Sequence, residues 1–303
     1  MTQYSKRELS DGFTYRWKPK ENGDMQLKIT KSSMGTFLFC PAAYDYSYRQ
    51  QIRGSVSDAM IKGNKVHNVE ESFWEDLDVK KAADILKGVE KGKSQEAVEV
   101  ELQCYVRETY KPTKHEGAEE IVDKMAVYYT QELVDAFKDN TLDGFIPVGN
   151  EVKLDSDIEY EGVGLHLQGI IDRIFQVDDY YVLMELKTGL WKDNRQTGMR
   201  KEMAFYKILV ENASDEQMES QGLDPNIPIK KWGWYYPASN YVQIEDVKKQ
   251  SEKGVWNSIS KMIVSYYQDN FEFKWFWKKC LHCGHVEHCE ATGKKEGGEY
   301  DWF

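Results

Sequence analysis

The stretch Gly169–Gly189, GIIDRIFQVDDYYVLMELKTG, carries two acids and a base whose spacing could do hydrolytic chemistry: Asp172, Glu185 and Lys187. It reads as two β-strands, GIIDRIFQV and YYVLMELKT, joined at the polar pair Asp178-Asp179. Strand side chains alternate between faces, so Glu185 and Lys187 leave the same face. With Asp178-Asp179 as a two-residue turn, Val177 pairs with Tyr180 and Phe175 with Val182. That register sets Asp172 opposite Glu185, with Cβ atoms roughly 5 Å apart. Two facing carboxylates repel unless positive charge sits between them. A divalent cation is the natural candidate, and a lysine beside it completes a hydrolytic site.

The competing reading is a solvated hairpin face with a surface salt bridge. The neighbours oppose it. Ile170, Ile174 and Leu183 accompany the acids, while Ile171, Phe175, Val182, Met184 and Leu186 make the other positions apolar. Strands apolar on both faces are buried, and buried charges need partners.

Several elements must position these residues. Residues 1–30 are polar and mixed, an irregular or strand-bearing opening segment. Ser32–Tyr48 reads as a helix starting at Ser32 or Ser33 and interrupted at Pro41. Over 59–77, Val66, Val69, Phe73 and Leu77 form one helical stripe, with His67 at its border. The run from Lys80 to Tyr110 is helical but weakly patterned. Within it Gly88–Ser94 imitates a phosphate-binding loop, yet it is one residue short between the glycines and follows no strand, so it reads as an ordinary loop. Met125, Tyr129, Leu133 and Phe137 mark an amphipathic helix over 118–139. The period then changes to two: Phe145–Leu154, Val163–Val177 and Tyr180–Thr188 read as strands. Thr197–Glu211 returns to a helix, Lys231–Pro237 to a short strand, and Glu245–Asp269 to a helix. The order helix, three strands, helix, strand indicates a mixed α/β domain wrapped in helices.

A second constellation is Cys280-Leu-His-Cys283-Gly-His-Val-Glu-His-Cys289, a C-x2-C-x5-C pattern, with Cys40 far upstream. With His282, His285 and His288 interleaved, zinc is one reading, and an iron–sulfur cluster held by thiolates is the other. Cys104 has no partner in either scheme and reads as a small buried apolar residue.

An Asp, about a dozen residues and Glu-x-Lys on a hairpin resembles the PD-(D/E)XK nuclease superfamily, whose core follows the element order above. The His67 helix is similar to the RecB-like branch. That branch carries Gln-x-x-x-Tyr on the next helix; here the segment is Glu202-Met-Ala-Phe-Tyr206, matching the tyrosine but not the glutamine. FLFCPAAYDYSY around Cys40, together with the C-terminal cysteines, resembles the iron–sulfur exonucleases, including the CRISPR-associated four-cysteine family.

The resemblance covers about residues 30–290. It implies one nuclease domain over residues 1–303. That domain would comprise an N-terminal segment (1–58) bearing the first cluster cysteine, a helical region (59–140), a nuclease core (141–245), and a C-terminal helix with the cysteine cluster (246–303). It implies Mg²⁺ or Mn²⁺ held by His67, Asp172, Glu185 and the Leu186 carbonyl, with Lys187 and Tyr206 completing the catalytic set. It also implies a 4Fe–4S cluster on Cys40, Cys280, Cys283 and Cys289, clamping the chain ends together. Glu151 and Glu202 are accessory candidates. Arg195, Arg200 and Lys201, with Lys192 and Lys207 nearby, form a candidate phosphate-binding surface; Arg53 and Lys62 are weaker candidates.

The implied activity is a metal-dependent DNA exonuclease acting on single strands or ends. The alternatives are an endonuclease of the same fold, or a non-catalytic DNA-binding module with a structural metal. Partners implied are DNA and helicase, recombination or CRISPR adaptation proteins. The net charge of −11 offers no global attraction to DNA, so a local basic groove must do that work. The amino-terminal MTQYSKRELSDG lacks a signal-peptide apolar region, and no run is long enough to span a membrane. A soluble, cytoplasmic protein is therefore expected, in the host cytoplasm if viral. Trp232, Trp234 and Tyr235 could stack on bases, though packing within the core is the better expectation.

Overall fold

A computed structural model describes residues 17–19, 25–52, 54–55, 58–110, 119–274, 276–281 and 283–289. Trp17–Pro19 (β1) pairs antiparallel with Met25–Thr30 (β2). The chain then turns at once into Lys31–Phe39 (α1), earlier than Ser32 or Ser33, because Thr30 is the cap. Its hydroxyl accepts the Ser33 N–H at 3.0 Å, and Ser33 Oγ accepts the Thr30 N–H at 2.9 Å. This reciprocal box satisfies first-turn donors that would otherwise be orphaned. Pro41 ends that helix as expected and occupies the first turn of Pro41–Tyr44 (α2).

Asp58–Asp76 (α3), Val79–Leu86 (α4), Gln95–Thr109 (α5) and Glu119–Lys138 (α6) follow. The glycine-rich Gly88–Ser94 only joins α4 to α5, and Ser94 caps α5 by accepting the Ala97 N–H. Three antiparallel strands come next: Gly149–Tyr160 (β3), Val163–Val177 (β4) and Tyr180–Leu186 (β5). β3 begins later and runs longer than its pattern suggests, since Phe145 closes a 3₁₀ turn and packs among the helices. Gln196–Glu211 (α7) and Asp215–Ser220 (α8) precede Ile229–Tyr236 (β6). Tyr241–Asp246 (β7) is a strand that the sequence pattern does not mark, and its last two residues take the place of the expected helix start at Glu245. Asn240, at φ 46°, turns the chain back so that β7 pairs antiparallel with β6. Lys249–Gln268 (α9) and Trp277–Cys280 (α10) complete the chain described.

The seven strands form one mixed sheet, and its central strands β4, β5 and β6 are buried on both faces. On one face Ile174, Leu183, Trp232 and Trp234 pack against Phe37 of α1, Met203 and Phe205 of α7, and Ile259 of α9. On the other, Phe175, Leu186 and Tyr235 meet the α3–α6 layer through Phe73, Trp74, Met125 and Tyr129. The expectation of two-sided burial is met. Trp232, Trp234 and Tyr235 are each at most 1% exposed, so they are core residues and not a base-stacking surface.

The site is positioned by an interruption in pairing. β3 runs along one edge of β4. Along the other edge, β2 pairs in parallel with Gly164–Gln168, and β5 pairs antiparallel with Arg173–Val177. The two strands arrive from opposite directions, so their carboxyl ends face each other across Gly169–Asp172.

Candidate metal centre and catalytic groove

The hairpin register is the expected one, from Val177↔Tyr180 to Arg173↔Met184. Asp178 takes φ 50°, the positive value that tight hairpin turns demand of their first central residue. One step beyond the last recorded pair, Asp172 Oδ2 accepts the Leu186 N–H at 2.6 Å. On the other edge of β4 the pairs Asn150↔Arg173 and Val152↔Ile171 bracket Glu151, which has φ 51°. Glu151, Asp172 and Glu185 therefore lie in one row across three strands.

The electrostatics of that row are uneven. Burial, then the neighbouring Glu185 charge, pushes the Asp172 carboxyl up to about 6. Burial, then Asp172, raises Glu151 to about 7. Glu185 is buried at 1% exposure, which by itself would raise it, yet the ammonium groups of Lys187 and Lys31 overcome burial and hold it low. Lys187 Nζ lies 2.6 Å from Glu185 Oε1, and Lys31 Nζ is bonded to the same oxygen. Glu185 Oε2 is buried with no hydrogen-bond partner.

His67 comes from α3, on whose stripe Val66, Val69 and Phe73 are fully buried. Its Nδ1 is 3.7 Å from Asp172 Oδ2. His67, Glu151 and Asp172 each offer a ligand atom, and the three atoms lie within 4.8 Å of one another. Two carboxylates and an imidazole suit a hard or borderline divalent cation such as Mg²⁺ or Mn²⁺. Glu185 stands outside this trio because the lysines hold one of its oxygens. Its second, unpartnered oxygen fits the same ion class. The Leu186 backbone enters the site through its N–H.

α7 closes the groove from above. Gly169 allows the approach: a Cβ there would stand 2.9 Å from Leu209 Cδ2 and 3.2 Å from Tyr206 Cε1. Tyr206, 2% exposed, lines the groove, and Glu202 one turn earlier reaches Lys187 at 2.8 Å and Lys31 at 3.8 Å. Lys31 Nζ sits 5.0 Å from the Tyr206 ring centre. The open groove has a volume of ≈ 740 Å³, and its walls include Lys31, Ser32, His67, Glu151, Lys153, Gln168, Asp172, Glu185, Lys187 and Tyr206. Lys31 is the residue that sequence reasoning missed. No local spacing marks it; it arrives only because β2 pairs with β4.

The expected basic surface is dispersed. Successive helix positions turn by about 100°, so the cations of α7 face different neighbours. Arg200 is held at 2.6 Å by both Glu245 oxygens. The Lys201 side chain lies against Gly254 of α9, and the buried Lys207 pairs with Glu211 and Glu252. Exposed Arg195 lies over Gly189. None of Arg195, Arg200, Lys201 and Lys207 lines the groove. Lys62 is exposed on α3, while Arg53 and His282 are outside the described residues.

Cys40, Cys280, Cys283 and Cys289 all line one apolar pocket with Phe39, Tyr46 and His285. Burial raises the Cys283 thiol, with Cys40 and Cys280 adding smaller contributions. The two ends of the described chain meet here: Ser55 N–H donates to Gly284 C=O at 3.0 Å, and Ser47 Oγ is 2.7 Å from His285 Nε2. Cys104 is exposed and not buried as expected, because α5 buries Leu102, Tyr105 and Val106 and turns position 104 outward. Among the described residues, no helix is long and apolar enough to cross a membrane.

No curated protein matches the chain. Among solved structures, that of SSO0001 is similar over 87% of this chain and 86% of its own, at 12% identity and a TM-score of 0.38. A profile of the PD-(D/E)XK nuclease superfamily matches residues 28–290, a span that takes in the end of β2, the whole groove and the cysteine pocket. The chain belongs to the PD-(D/E)XK nuclease superfamily.

Proposed function

We propose that this protein is a metal-dependent DNA exonuclease that hydrolyses phosphodiester bonds in single strands or at ends. The observation that carries the reading is the convergence of His67, Glu151 and Asp172 beside the Glu185–Lys187 pair in one open groove. Those residues, with Glu185 Oε2, would hold Mg²⁺ or Mn²⁺. Such an ion, when bound, lowers the pKa of a coordinated water and offsets charge on the phosphate.

The remaining work belongs to the protein. Lys187, fixed between Glu185 and Glu202, presents an ammonium group where charge develops on the phosphate. Tyr206 walls the groove and keeps water from the far side of the site. The Leu186 N–H orients Asp172 by occupying one of its oxygens. Arg195, exposed in the turn before α7, would supply a phosphate contact outside the groove.

We also assign the four cysteines to an iron–sulfur cluster. They line one apolar pocket together with Phe39 and His285. Four thiolates suit a multi-iron centre, with zinc as the alternative.

The test uses purified protein with labelled single-stranded, double-stranded and circular DNA in Mg²⁺ or Mn²⁺. Cleavage of linear but not circular DNA is expected, and Asp172→Ala and Lys187→Ala should abolish it. Cleavage that persists in both variants overturns the site, and cutting of circles overturns the exonuclease assignment.

A further inference from the structure

Lys31 is a cation that neither the motif spacing nor the Glu-x-Lys pair calls for, yet it stands at the centre of the groove. It is the first residue of α1, directly after the last β2–β4 pair, Thr30↔Gln168. Its ammonium group is bonded to Glu185 Oε1, the oxygen that Lys187 already holds at 2.6 Å. One ammonium group would satisfy that oxygen. Two on the same atom repel each other, and the positive charge of Lys31 does act against protonation of Lys187. A second cation is tolerated because Glu202 lies 3.8 Å from Lys31 and 2.8 Å from Lys187, so two lysines face two glutamates.

The quartet is balanced only while Glu185 is free to serve the lysines. Lys31 leans on Glu185 more than Lys187 does: its contact to Glu202 is a full ångström longer than that of Lys187. Its side chain is 21% exposed, and Thr30, Lys31 and Ser32 together form a wall of the groove. These residues begin a nine-residue helix, so the partial positive charge of the helix end falls on the same wall. A divalent cation held at Glu185 Oε2 would share the one negative charge that now faces both lysines, and Lys31 beside Lys187 would then favour an anion. A phosphodiester entering the groove supplies one.

We propose that Lys31 is a second catalytic lysine, which contacts a phosphate of the bound strand, and that Glu202 is its positioning partner. The proposal deepens the nuclease reading and rests on it for the cleavage step alone; phosphate binding stands separately.

The experiment compares the full-length protein with Lys31→Met, Lys31→Arg, Glu202→Gln and the double variant Lys31→Met/Glu202→Gln. Melting curves check that each is folded. Binding of a fluorescent oligodeoxythymidine is followed by anisotropy in Ca²⁺ across a salt series, and cleavage is followed in Mn²⁺. Each lost single-strand phosphate contact lowers the slope of log K against log salt by about 0.7. Lys31→Met should show that drop and lose cleavage by about 100-fold, the scale of one lost transition-state donor. Lys31→Arg should keep the slope, and the double variant should behave as Lys31→Met does.

Recovery of cleavage in the double variant would overturn the proposal, since Lys31 would then merely neutralise Glu202. An unchanged slope in Lys31→Met would overturn it as well. If the wild type binds DNA without cutting it, the nuclease reading fails while the slope still decides the role of Lys31. If the wild type does not bind, both fail.

Discussion

Glu70 of α3 and Arg173 of β4 form an ion pair in which each side chain is only 3% exposed, directly behind the strand position that carries Asp172. Arg173 follows Asp172 in β4, so it points to the opposite face of the sheet. Glu70 lies three residues after His67, on the neighbouring turn of the same helix. The Tyr129 hydroxyl donates to Glu70 Oε1 at 2.9 Å, tying α6 into the same knot. The pair fixes α3 against β4 and thereby sets His67 over Asp172.

Breaking this pair from one side leaves an uncompensated buried charge, which costs about 3–5 kcal/mol. Arg173→Met, which strands Glu70, should lower the urea unfolding free energy by about that amount. Glu70→Gln keeps an acceptor for Tyr129 and can itself donate, but it strands the Arg173 charge. A fall in Mn²⁺ affinity in both variants, measured by calorimetry, would accompany the loss if α3 positions His67. Unchanged affinity in a destabilised variant would separate fold from site.

The raised carboxyls make a prediction about pH. Asp172 and Glu151 move from ordinary values of 3.8 and 4.5 to about 6 and about 7 in the folded chain. The folded state therefore binds more protons than the unfolded state between roughly those limits, and stability falls as pH rises. In chelator, Tm should climb as pH drops from about 8 toward 5, with the slope starting near pH 7, where Glu151 takes up its proton, and steepest near pH 5–6, where Asp172 joins it. Saturating Mn²⁺, which competes with protons for the same oxygens, should flatten or reverse that slope. Glu151→Gln should remove part of the apo slope and weaken Mn²⁺ binding on the order of tenfold, as loss of a charged ligand does. A Tm independent of pH in chelator would contradict the carboxylate row.

These relationships differ in how readable they were from residues alone. Asp172 facing Glu185 follows from a turn of two residues and a period of two, both local facts. Two-sided burial of the hairpin was equally legible in its continuous apolar runs. Glu151 was evenly balanced between site and solvent, because nothing local says which acid on a neighbouring strand meets Asp172. Lys31 was invisible, since it depends on a parallel pairing between strands more than a hundred residues apart. The acidic partners of Arg200 and Lys207 were out of reach for a related reason. Their helix was correctly placed, but the partners that consume their charge, Glu245 and Glu252, lie on β7 and α9. β7 itself escaped notice because Tyr241–Ile244 is too short a run to mark a strand, and Glu245-Asp246 suit a helix start equally well.

At the chain ends, Cys40 and the three C-terminal cysteines line one pocket, and the backbone around Gly284 bonds to Ser55. A cluster held there joins segments far apart in sequence, so losing it should loosen the terminal segments before the sheet. Protein purified without oxygen should be brown and should contain iron and acid-labile sulfide. Cys283→Ser should lose the colour and become sensitive to proteolysis near residues 40–55 and 270–289, while Cys104→Ser should change neither. Colourless protein with stoichiometric zinc would replace the cluster by a single ion.

Gly169 offers the sharpest test of how α7 is seated. It lies where pairing lapses on one edge of β4, and its missing side chain is what lets Tyr206 and Leu209 approach the strand. In Gly169→Ala the new methyl would stand 2.9 Å from Leu209 Cδ2 and 3.2 Å from Tyr206 Cε1. Leu209, 0% exposed, is enclosed by the core, whereas Tyr206, 2% exposed, can yield only toward the groove that it walls. Overpacking of this kind costs about 1–3 kcal/mol. Relief would come through a shift of α7 away from the sheet, which carries Glu202 from Lys187 and Tyr206 from the groove wall. Gly169→Ala should therefore remain folded, with lowered stability, and lose cleavage by about 10-fold or more, as small misplacements of positioning groups do. Leu209→Ala in the same chain removes one of the two clashes and should recover part of the activity. If Gly169→Ala is as active as the wild type, the close contact between α7 and β4 is not what holds Tyr206 in place.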